Sequence, residues 1–281
     1  MCHLIYTDTF YMKRKWIRWV SWILLTPIIL FVILMVLLYV PPVQNLLRRE
    51  VTAYASKATG MQIQVERIDL RFPLNLLVRG VEVIQQPDTL LSLESLNVRV
   101  QAWPLIKGKV EVDEVTLSRV AVNSADLMEG MKIKGVLGRF FLQSHGVDLS
   151  NELAVINQVE LSDTHVQLLM NDTTTTPKDT TASAPINWKV ALHQLKLKNV
   201  SFSMQLPADS MRMAAHIGEA AIDDAQADLK NQYYDLKKFL LSGTSASYDT
   251  GTAQPAEGFD ASHIAVRDIR IALDSLLYKG R

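Results

Sequence analysis

A recurring spacing of apolar residues constrains the fold of this chain more than any other feature. Within one stretch the apolar side chains follow one another in steps of two, interrupted by steps of three: Val110, Val112, Val115, Leu117, Val120 and Val122. The spacing returns, in full or in part, in five further stretches: 63–72, 91–100, 153–168, 190–204 and 264–271. The body of the chain is therefore predicted to be one repeated β pattern.

The steps of two place apolar side chains on one face of a strand, because successive side chains of a strand point to opposite faces. The positions between them are polar, as at Glu111 and Thr116. A step of three would move the apolar set to the other face if the strand ran straight through. We interpret each step of three as a tight turn or a bulge that returns the apolar set to the same face.

The connections favour antiparallel pairing. Parallel strands are typically continuous apolar runs, and they need crossover connections of about a dozen or more residues. The stretch 61–125 has no room for such crossovers. The predicted fold class is mainly β: an N-terminal transmembrane helix, a short amphipathic helix, and then an elongated, antiparallel, repetitive sheet.

A sheet with one apolar face needs a cover for that face. Closure as a sandwich or a small barrel is the ordinary solution. The alternative is a sheet bent lengthwise into an open, taco-like groove whose apolar inside is covered by something other than protein. The uniform Val, Leu and Ile lining, with aromatic residues at 7% of the chain, suits a continuous channel and leaves both solutions open. The candidate groove-lining residues are Val98, Val100, Val110, Val112, Val115, Leu117, Val190, Leu192, Leu195, Leu197, Ile264, Val266 and Ile269.

The segment before the repeat contains a long apolar run. No charged residue occurs between Trp19 and Leu47, whereas basic residues are concentrated just before this run. Roughly 20 apolar residues suffice to span a hydrocarbon core of about 30 Å, and the basic residues favour a cytoplasmic N-terminus. We therefore predict a cytoplasmic segment 1–18 and a transmembrane helix 19–40 in the inner membrane.

Two points about this segment stay open. A cleaved secretory signal is the alternative to an anchor, although its apolar region would span only about 7–15 residues and end at a small-residue cleavage site. In addition, Met12 has the features of a natural start, so translation of residues 1–11 is an open question.

Apolar residues at three- and four-residue spacings, beginning at Val43 and ending before Gly60, predict an amphipathic helix over 41–60. This helix is either a connector that covers the first strand or a membrane-surface helix that guides molecules from the bilayer into the body. The periplasmic body then spans 61–281, with flexible insertions near 171–187 and 242–257. Because the repeat resumes after both insertions, we expect one continuous sheet.

Composition and motifs argue against several classes of function. Lys plus Arg and Asp plus Glu both number 29, and no basic block indicates nucleic acid binding. The only cysteine is Cys2, so no intrachain disulfide is possible. The histidines are scattered, and the acidic pairs Asp113-Glu114 and Asp223-Asp224 are interpreted as solvated turns rather than as a general acid and base. We predict that the protein is not an enzyme and that it needs no cofactor or metal.

The order of these features resembles a known family. A single anchor is followed by Pro41-Pro42-Val43-Gln44, a helix ending at Ala58-Thr59-Gly60, the strand segment 63–70 and copies of Val-x-Val-x-x-Val-x-Leu such as 110–117. This combination resembles the start of TamB proteins, the translocation and assembly modules of the AsmA-like superfamily, in the branch found in Bacteroidetes. The resemblance covers residues 13–125 well and the rest through the repeat alone.

The resemblance implies an inner-membrane-anchored periplasmic protein that carries phospholipids along an apolar β groove toward the outer membrane. It also implies an outer-membrane partner of the TamA or BamA type. Because such proteins are far longer and meet that partner through a C-terminal region without counterpart here, the chain is expected to be an N-terminal part. Two other functions remain as alternatives: a scaffold that assembles outer-membrane proteins by strand addition, and a closed β domain that binds an unidentified ligand.

Overall fold

The computed structural model describes residues 39–85, 88–106, 111–124, 130–148, 152–170, 187–251 and 262–280, together with Thr26, Ile29 and Val36. It contains two α-helices, one 3-10 helix and eleven strands in this part of the chain. The helices are α1 (Pro41–Thr59), α2 (Ala102–Ile106) and the 3-10 turn Pro207–Asp209. The strands are β1 (Gln62–Arg71), β2 (Asn75–Gln85), β3 (Asp88–Val100), β4 (Val112–Asn123), β5 (Met131–Asp148), β6 (Leu153–Met170), β7 (Lys189–Leu206), β8 (Met211–Asp228), β9 (Tyr233–Asp249), β10 (His263–Leu273) and β11 (Leu276–Lys279).

Helix α1 occupies the segment for which an amphipathic helix was predicted. Proline stands at its first positions, where the missing N–H costs no hydrogen bond, and Gly60 ends it with a left-handed backbone at φ 70°. The predicted transmembrane helix 19–40 lies outside the described residues, apart from isolated positions and its last two residues. None of the helices within the described part has the length and apolarity needed to span a membrane.

All eleven strands belong to one sheet, in which β1 to β10 lie in the order of the sequence. Strand β11 pairs with β9 beside β10. Every neighbouring pair is antiparallel except β6 and β7, which run parallel from the Leu153–Lys189 pair to the Leu169–Gln205 pair. The prediction of a mainly β fold with an antiparallel sheet is confirmed for all neighbouring pairs except β6 and β7. The long connection 171–186 gives the chain enough length to return to the starting end of β6 before β7 begins.

The predicted insertions have different outcomes. The first, near 171–187, lies almost entirely outside the described residues, and β6 and β7 pair directly on either side of it. The second, near 242–257, is wrong for its first half, because β9 continues through Ser242 to Asp249. Small polar residues there pair with β8 and β10, so a polar composition alone did not indicate a loop.

The steps of three are not turns, because the strands run straight through them. The alternative interpretation as a bulge is confirmed for the step Val112–Val115, where the pairing of β3 and β4 has a register shift. In β1 and β2 the pairs Val65–Val81 and Arg67–Arg79 leave one residue between them on each strand, Glu66 and Gly80. The same level continues across the sheet, and we call it the transverse line: Glu66, Gly80, Glu94, Arg119, Gly138, Asp163, Asn199, Gly218 and Gly243. In each pair of neighbouring strands, both strands have additional residues at this level. The pairing register is therefore the same on either side of the line.

Five of these residues have a left-handed backbone, with φ between 46° and 59°: Gly80, Arg119, Asp163, Asn199 and Gly243. Such a residue interrupts the alternation of side chains by one position. The apolar rows before and after the line therefore fall on the same face of the sheet. The step of three returns the apolar residues to the same face, as predicted, while the chain continues as one strand.

The described strands form one sheet, and few of its side chains are buried. Extensive contacts between elements occur only between neighbouring strands and between α1 and β1. Among the described residues, the buried apolar side chains are only Leu90, Leu93, Ala154 and Ala220, and none of the larger side chains is fully enclosed. Strands β1 and β10 do not pair with each other within the described sheet, so it is open at both edges. The part of the chain that is described therefore has no interlocked core.

Candidate functional site: the apolar face of the sheet

The pairing register assembles apolar residues into rows that cross the sheet at right angles to the strands. Directly paired residues lie on the same face, with Cβ atoms about 5 Å apart. Two adjacent rows next to the transverse line are apolar in all ten strands. The first is Ile68, Val78, Leu96, Leu117, Phe140, Leu161, Leu197, Ala220, Leu241 and Ile271. The second is Leu70, Leu76, Val98, Val115, Leu142, Val159, Leu195, Ile222, Phe239 and Leu273.

A third row on the other side of the transverse line is also uninterrupted by polar residues. It consists of Ile63, Val83, Leu91, Val122, Gly135, Val166, Phe202, Ala215, Ala246 and Val266. We refer to the surface formed by these three rows and the apolar positions between and beside them as the apolar face. It extends across ten strands, or about 43 Å at about 4.8 Å per strand spacing.

The candidate lining residues come together on this face. Val98, Val115, Leu117, Leu195 and Leu197 lie in the two adjacent rows. Val100 pairs with Val112 at the end of these strands, next to a register shift. The remaining described candidates occupy flanking rows: Val190, Leu192, Ile264, Val266 and Ile269. Val110 lies outside the described residues.

The apolar face is only partly shielded from solvent. Its central members, such as Leu117 and Leu195, are half-buried. Toward the β10 edge the exposure rises, and Val266 is 47% exposed. Large exposed apolar patches commonly occur at interaction sites.

The opposite face is predominantly polar. One row on it carries no apolar residue across nine strands: Arg67, Arg79, Ser95, Ser118, Arg139, Ser162, Lys198, Glu219 and Ser242. Isolated apolar residues do occur elsewhere on it, for example Val136 and Leu240, which are both exposed. The sheet therefore presents two chemically different surfaces to its surroundings.

Helix α1 protects one edge of this sheet. Gln44 Nε2 donates a hydrogen bond to the Leu70 carbonyl at 2.9 Å, near the start of the helix. Near its end, the Ile63 N–H donates to Ser56 Oγ at 3.1 Å. These backbone groups of β1 point away from β2, so the side chains of α1 satisfy an edge that would otherwise be available for pairing.

A cavity of about 710 Å³ lies between α1 and the first two strands. Its helix side carries Arg48, Arg49 and Thr52, and its sheet side carries Glu66 and Glu82. Arg48 Nη1 donates hydrogen bonds to the carbonyls of Val65 and Glu66 at 3.1 and 3.2 Å. The cavity is thus open, and charged residues of both signs are among those that line it.

The acidic pairs lie in strands, so their interpretation as turns is wrong. Asp223 and Asp224 belong to β8, and Asp224 Oδ1 lies 3.0 Å from His193 Nδ1. This hydrogen bond is the main cause of the lowered pKa of Asp224. Asp113 accepts a hydrogen bond from Gln101, and Glu114 pairs with Arg99 at 3.0 Å. No group of three or more His, Cys, Asp and Glu residues within the described ranges could hold a metal ion.

The transverse line is the feature that the sequence interpretation missed. Its residues fill the middle of steps of three, and four of them are glycines. At Gly138 and Gly218 the missing Cβ allows close approach of the neighbouring strand. A Cβ on Gly218, for example, would lie 2.9 Å from the Gly243 carbonyl oxygen. The available signal was the recurrence of Gly, Asp and Asn at these middle positions.

Neither a protein-family model nor a curated protein matches this chain.

Proposed function

We propose that the apolar face binds the acyl chains of phospholipids and that the protein carries them along this face, from the inner membrane toward the outer membrane. The observation that carries the proposal is the set of uninterrupted apolar rows across ten strands, of whose members only Ala220 is buried in the described part. The resemblance to TamB and the apolar run 19–40 support the same localisation, with the body in the periplasm.

The lining supplies a driving force without a strong preference for one position. Burial of each CH₂ group of an acyl chain contributes about 0.8 kcal/mol. Because neighbouring positions in a row are similar aliphatic side chains, such as Val115, Leu142 and Val159, the free energy of a bound chain changes little from strand to strand. A chain can therefore slide across the strands, while the head group stays in water.

Photo-crosslinking tests the proposal directly. A photoreactive amino acid at Leu117 or Leu195 is expected to capture phospholipid in membranes. The same group at the adjacent residue on the polar face, Thr116 or Lys196, is expected to capture little. Since each pair differs by one position along one strand, folding and expression are closely matched. Equal capture on the two faces would contradict the proposal.

A charge in the apolar rows tests transport rather than binding. Leu117→Asp is expected to block passage of lipid at β4, because an acyl chain would have to cross an ionised carboxylate. Thr116→Asp, on the polar face, is the control and is expected to leave passage unchanged. Binding at β7, read from the crosslinker at Leu195, shows whether the variant sheet is still folded. Normal lipid passage in a folded Leu117→Asp protein would count against a groove.

The second candidate function is a scaffold that recruits unfolded outer-membrane proteins by strand addition. The exposed edge formed by β10 and β11 favours it, since Leu276, Leu277 and Tyr278 are each more than half exposed. An edge strand presents unpaired backbone groups to an extended partner. Proline substitutions in β10 at amides that point away from β9 are expected to abolish assembly by this route, whereas Leu117→Asp is expected to be tolerated. The reverse pattern favours lipid transport.

A further inference from the structure

Helix α1 contacts the sheet through its polar side. Gln44, Arg48 and Ser56 each form hydrogen bonds with backbone groups of β1, at 2.9, 3.1 and 3.1 Å. These three residues are four or eight positions apart, so they lie along one side of the helix. The edge of β1 is therefore covered by hydrogen-bonding side chains and not by the apolar residues of α1.

The apolar residues of α1 are exposed to solvent. Leu46, Leu47, Val51 and Tyr54 are between 38% and 76% exposed, and we call these four residues the apolar stripe of α1. An amphipathic helix of a globular protein ordinarily packs its apolar side on the core. Helix α1 has the reverse arrangement, with its polar side on β1 and its apolar side in contact with the surroundings.

The apolar stripe lies on the same side of the sheet as the apolar face. Arg49 and Ala53 line the cavity together with Glu82, which lies on the polar face. Two residues along a helix correspond to a rotation of about 200°. Leu47 and Val51 precede Arg49 and Ala53 by two residues, so they point to the opposite side of the helix. The apolar stripe and the apolar face are therefore neighbours at the first strand.

Helix α1 runs alongside β1 in the opposite direction. Its early contact, from Gln44, is near the end of β1 at Leu70, and its later contact, from Ser56, is near the start of β1 at Ile63. The helix axis therefore follows the direction of the strands. Because the apolar rows cross the strands at right angles, they lead away from the helix.

We propose that α1 lies in the surface of the inner membrane, with the apolar stripe among the acyl chains, and that phospholipids pass over it onto the apolar face at β1. The helix begins at Pro41, directly after the predicted membrane segment 19–40, and this continuity identifies the bilayer as its partner. With the helix axis in the membrane plane, the apolar rows lead away from the bilayer. This inference rests on the proposed function and adds the place where lipids enter.

The charges of α1 also fit a lipid surface. The helix contains three basic residues, Arg48, Arg49 and Lys57, and one acidic residue, Glu50. Basic residues beside an apolar stripe are typical of helices that lie in the interface, where they attract anionic head groups. The exposed ring of Tyr54 is of the kind that prefers this depth.

The position of α1 can be measured with a fluorescent label on single cysteines, in the full chain with Cys2→Ser, embedded in nanodiscs. Labels on Leu47→Cys and Tyr54→Cys are expected to be quenched by phospholipids that carry a nitroxide on the acyl chain and shielded from iodide in the water. The control is Asn45→Cys, two residues before Leu47 and therefore on the opposite side of the helix. Its label is expected to show the opposite preference.

The two labelled apolar sites separate a helix in the membrane plane from one that only starts at the membrane. Tyr54 follows Leu47 by seven residues, or about 10 Å along the helix axis. Iodide quenching at Tyr54 as strong as at Asn45 would mean that α1 rises into the water and would overturn the proposal. A second copy of the chain is the other possible cover of the stripe. Disulfide-linked dimers of Val51→Cys in place of lipid quenching would likewise overturn it.

Entry of lipid over α1 is tested by capture at β4. In a protein with the photoreactive group at Leu117, Val51→Asp is expected to reduce phospholipid capture severalfold, because lipids would have to pass an ionised carboxylate. Asn45→Asp is the control and is expected to leave capture unchanged. Circular dichroism shows that each variant retains its strands. Equal capture in the two folded variants would overturn entry over the stripe.

The outcomes also separate this inference from the proposed function. If the unchanged protein captured no lipid at Leu117 while the labels at Leu47 and Tyr54 lay in the bilayer, the proposed function would be contradicted and the position of α1 would stand. If Leu117 captured lipid while both labels were accessible to iodide, the position of α1 would be wrong and the proposed function would stand.

Discussion

Asp163 of β6 lies directly against Gly138 of β5, where the two strands cross the transverse line. A Cβ on Gly138 would lie 2.7 Å from Asp163 Cβ and 2.9 Å from the Asp163 carbonyl oxygen. Asp163 in turn accepts a hydrogen bond from Asn199 Nδ2 of β7 at 2.8 Å, so three strands are connected at this level. Asp163 has a left-handed backbone at this point, with φ 50°.

Gly138→Ala is therefore expected to destabilise the sheet by about 1–3 kcal/mol, the usual cost of placing an extra methyl group in a space without room for it. The free energy of unfolding in urea measures the effect. Gly135→Ala in the same strand is the control, because its Cβ would meet the His165 carbonyl oxygen at 3.3 Å and needs only a small shift. Similar losses in the two variants would show that the transverse line has no special packing.

Ser56→Ala is expected to expose the β1 edge locally. The Ile63 N–H donates to Ser56 Oγ, so removal of the hydroxyl leaves this amide without its partner. Hydrogen exchange of the Ile63 amide is expected to accelerate. Thr59→Ala is the control, since Thr59 Oγ1 accepts a hydrogen bond from the Met61 N–H instead. That variant should accelerate exchange at Met61 and leave Ile63 protected; unchanged Ile63 exchange in Ser56→Ala would contradict the predicted contact.

We expect the turn between β8 and β9 to contribute less to stability in acid, because it contains Asp228. Its pKa is lowered, first by the backbone N–H of Asn231, which donates to Oδ1 at 3.1 Å, and then by the Asn231 side chain and Lys189. A carboxyl group with a lowered folded-state pKa contributes stability that is present above its unfolded pKa of about 3.9 and lost as the pH falls through the folded value. The free energy of unfolding is therefore expected to decrease in this acidic range.

Asp228→Asn is expected to make that decrease smaller, because the residue no longer takes up a proton. Urea unfolding at about pH 6 and about pH 3 measures the difference. Asp274→Asn, in the exposed segment between β10 and β11, serves as the comparison. If both substitutions changed the acid dependence equally, the effect could not be assigned to the hydrogen bonds at Asp228.

We expect the sheet to meet the bilayer near Phe72. This residue is 81% exposed between β1 and β2, and its ring lies 6.4 Å from that of Tyr39, near the end of the predicted membrane segment. Tyr39 also donates a hydrogen bond to the Pro73 carbonyl at 2.7 Å. Aromatic side chains prefer the membrane interface, so we expect Phe72 to lie in the head-group region.

A nitroxide on Phe72→Cys, with Cys2→Ser, is expected to be more accessible to oxygen dissolved in the bilayer than to a water-soluble relaxing agent. A label on Tyr278→Cys in β11, at the other edge of the sheet, is the control and is expected to show the opposite preference. Labels with the same aqueous accessibility at both sites would contradict the predicted contact with the membrane.

The sequence alone was sufficient for the mainly β class of the fold and for placing residues such as Val115 and Leu117 on one face. Alternation of side chains is a property of the extended backbone, so residues such as Val115 and Leu117 share a face whatever their partners are. The spacing also located the positions where alternation changes, between Leu117 and Val120 for example. It did not distinguish a turn from a continuous strand, because that depends on whether the neighbouring strand has an extra residue at the same level.

Tertiary structure decided how the strands are arranged. Backbone hydrogen bonds are alike in all strands, and the local pattern of β6 and β7 is compatible with either direction of pairing. Their parallel pairing, the alignment of Gly138 with Asp163 and the coverage of β1 by α1 all depend on contacts between distant segments. The cavity between Arg49 and Glu82 arises in the same way. The alternation of residues along a strand is set locally by the chain, whereas these relationships exist only once the strands and the helix have come together.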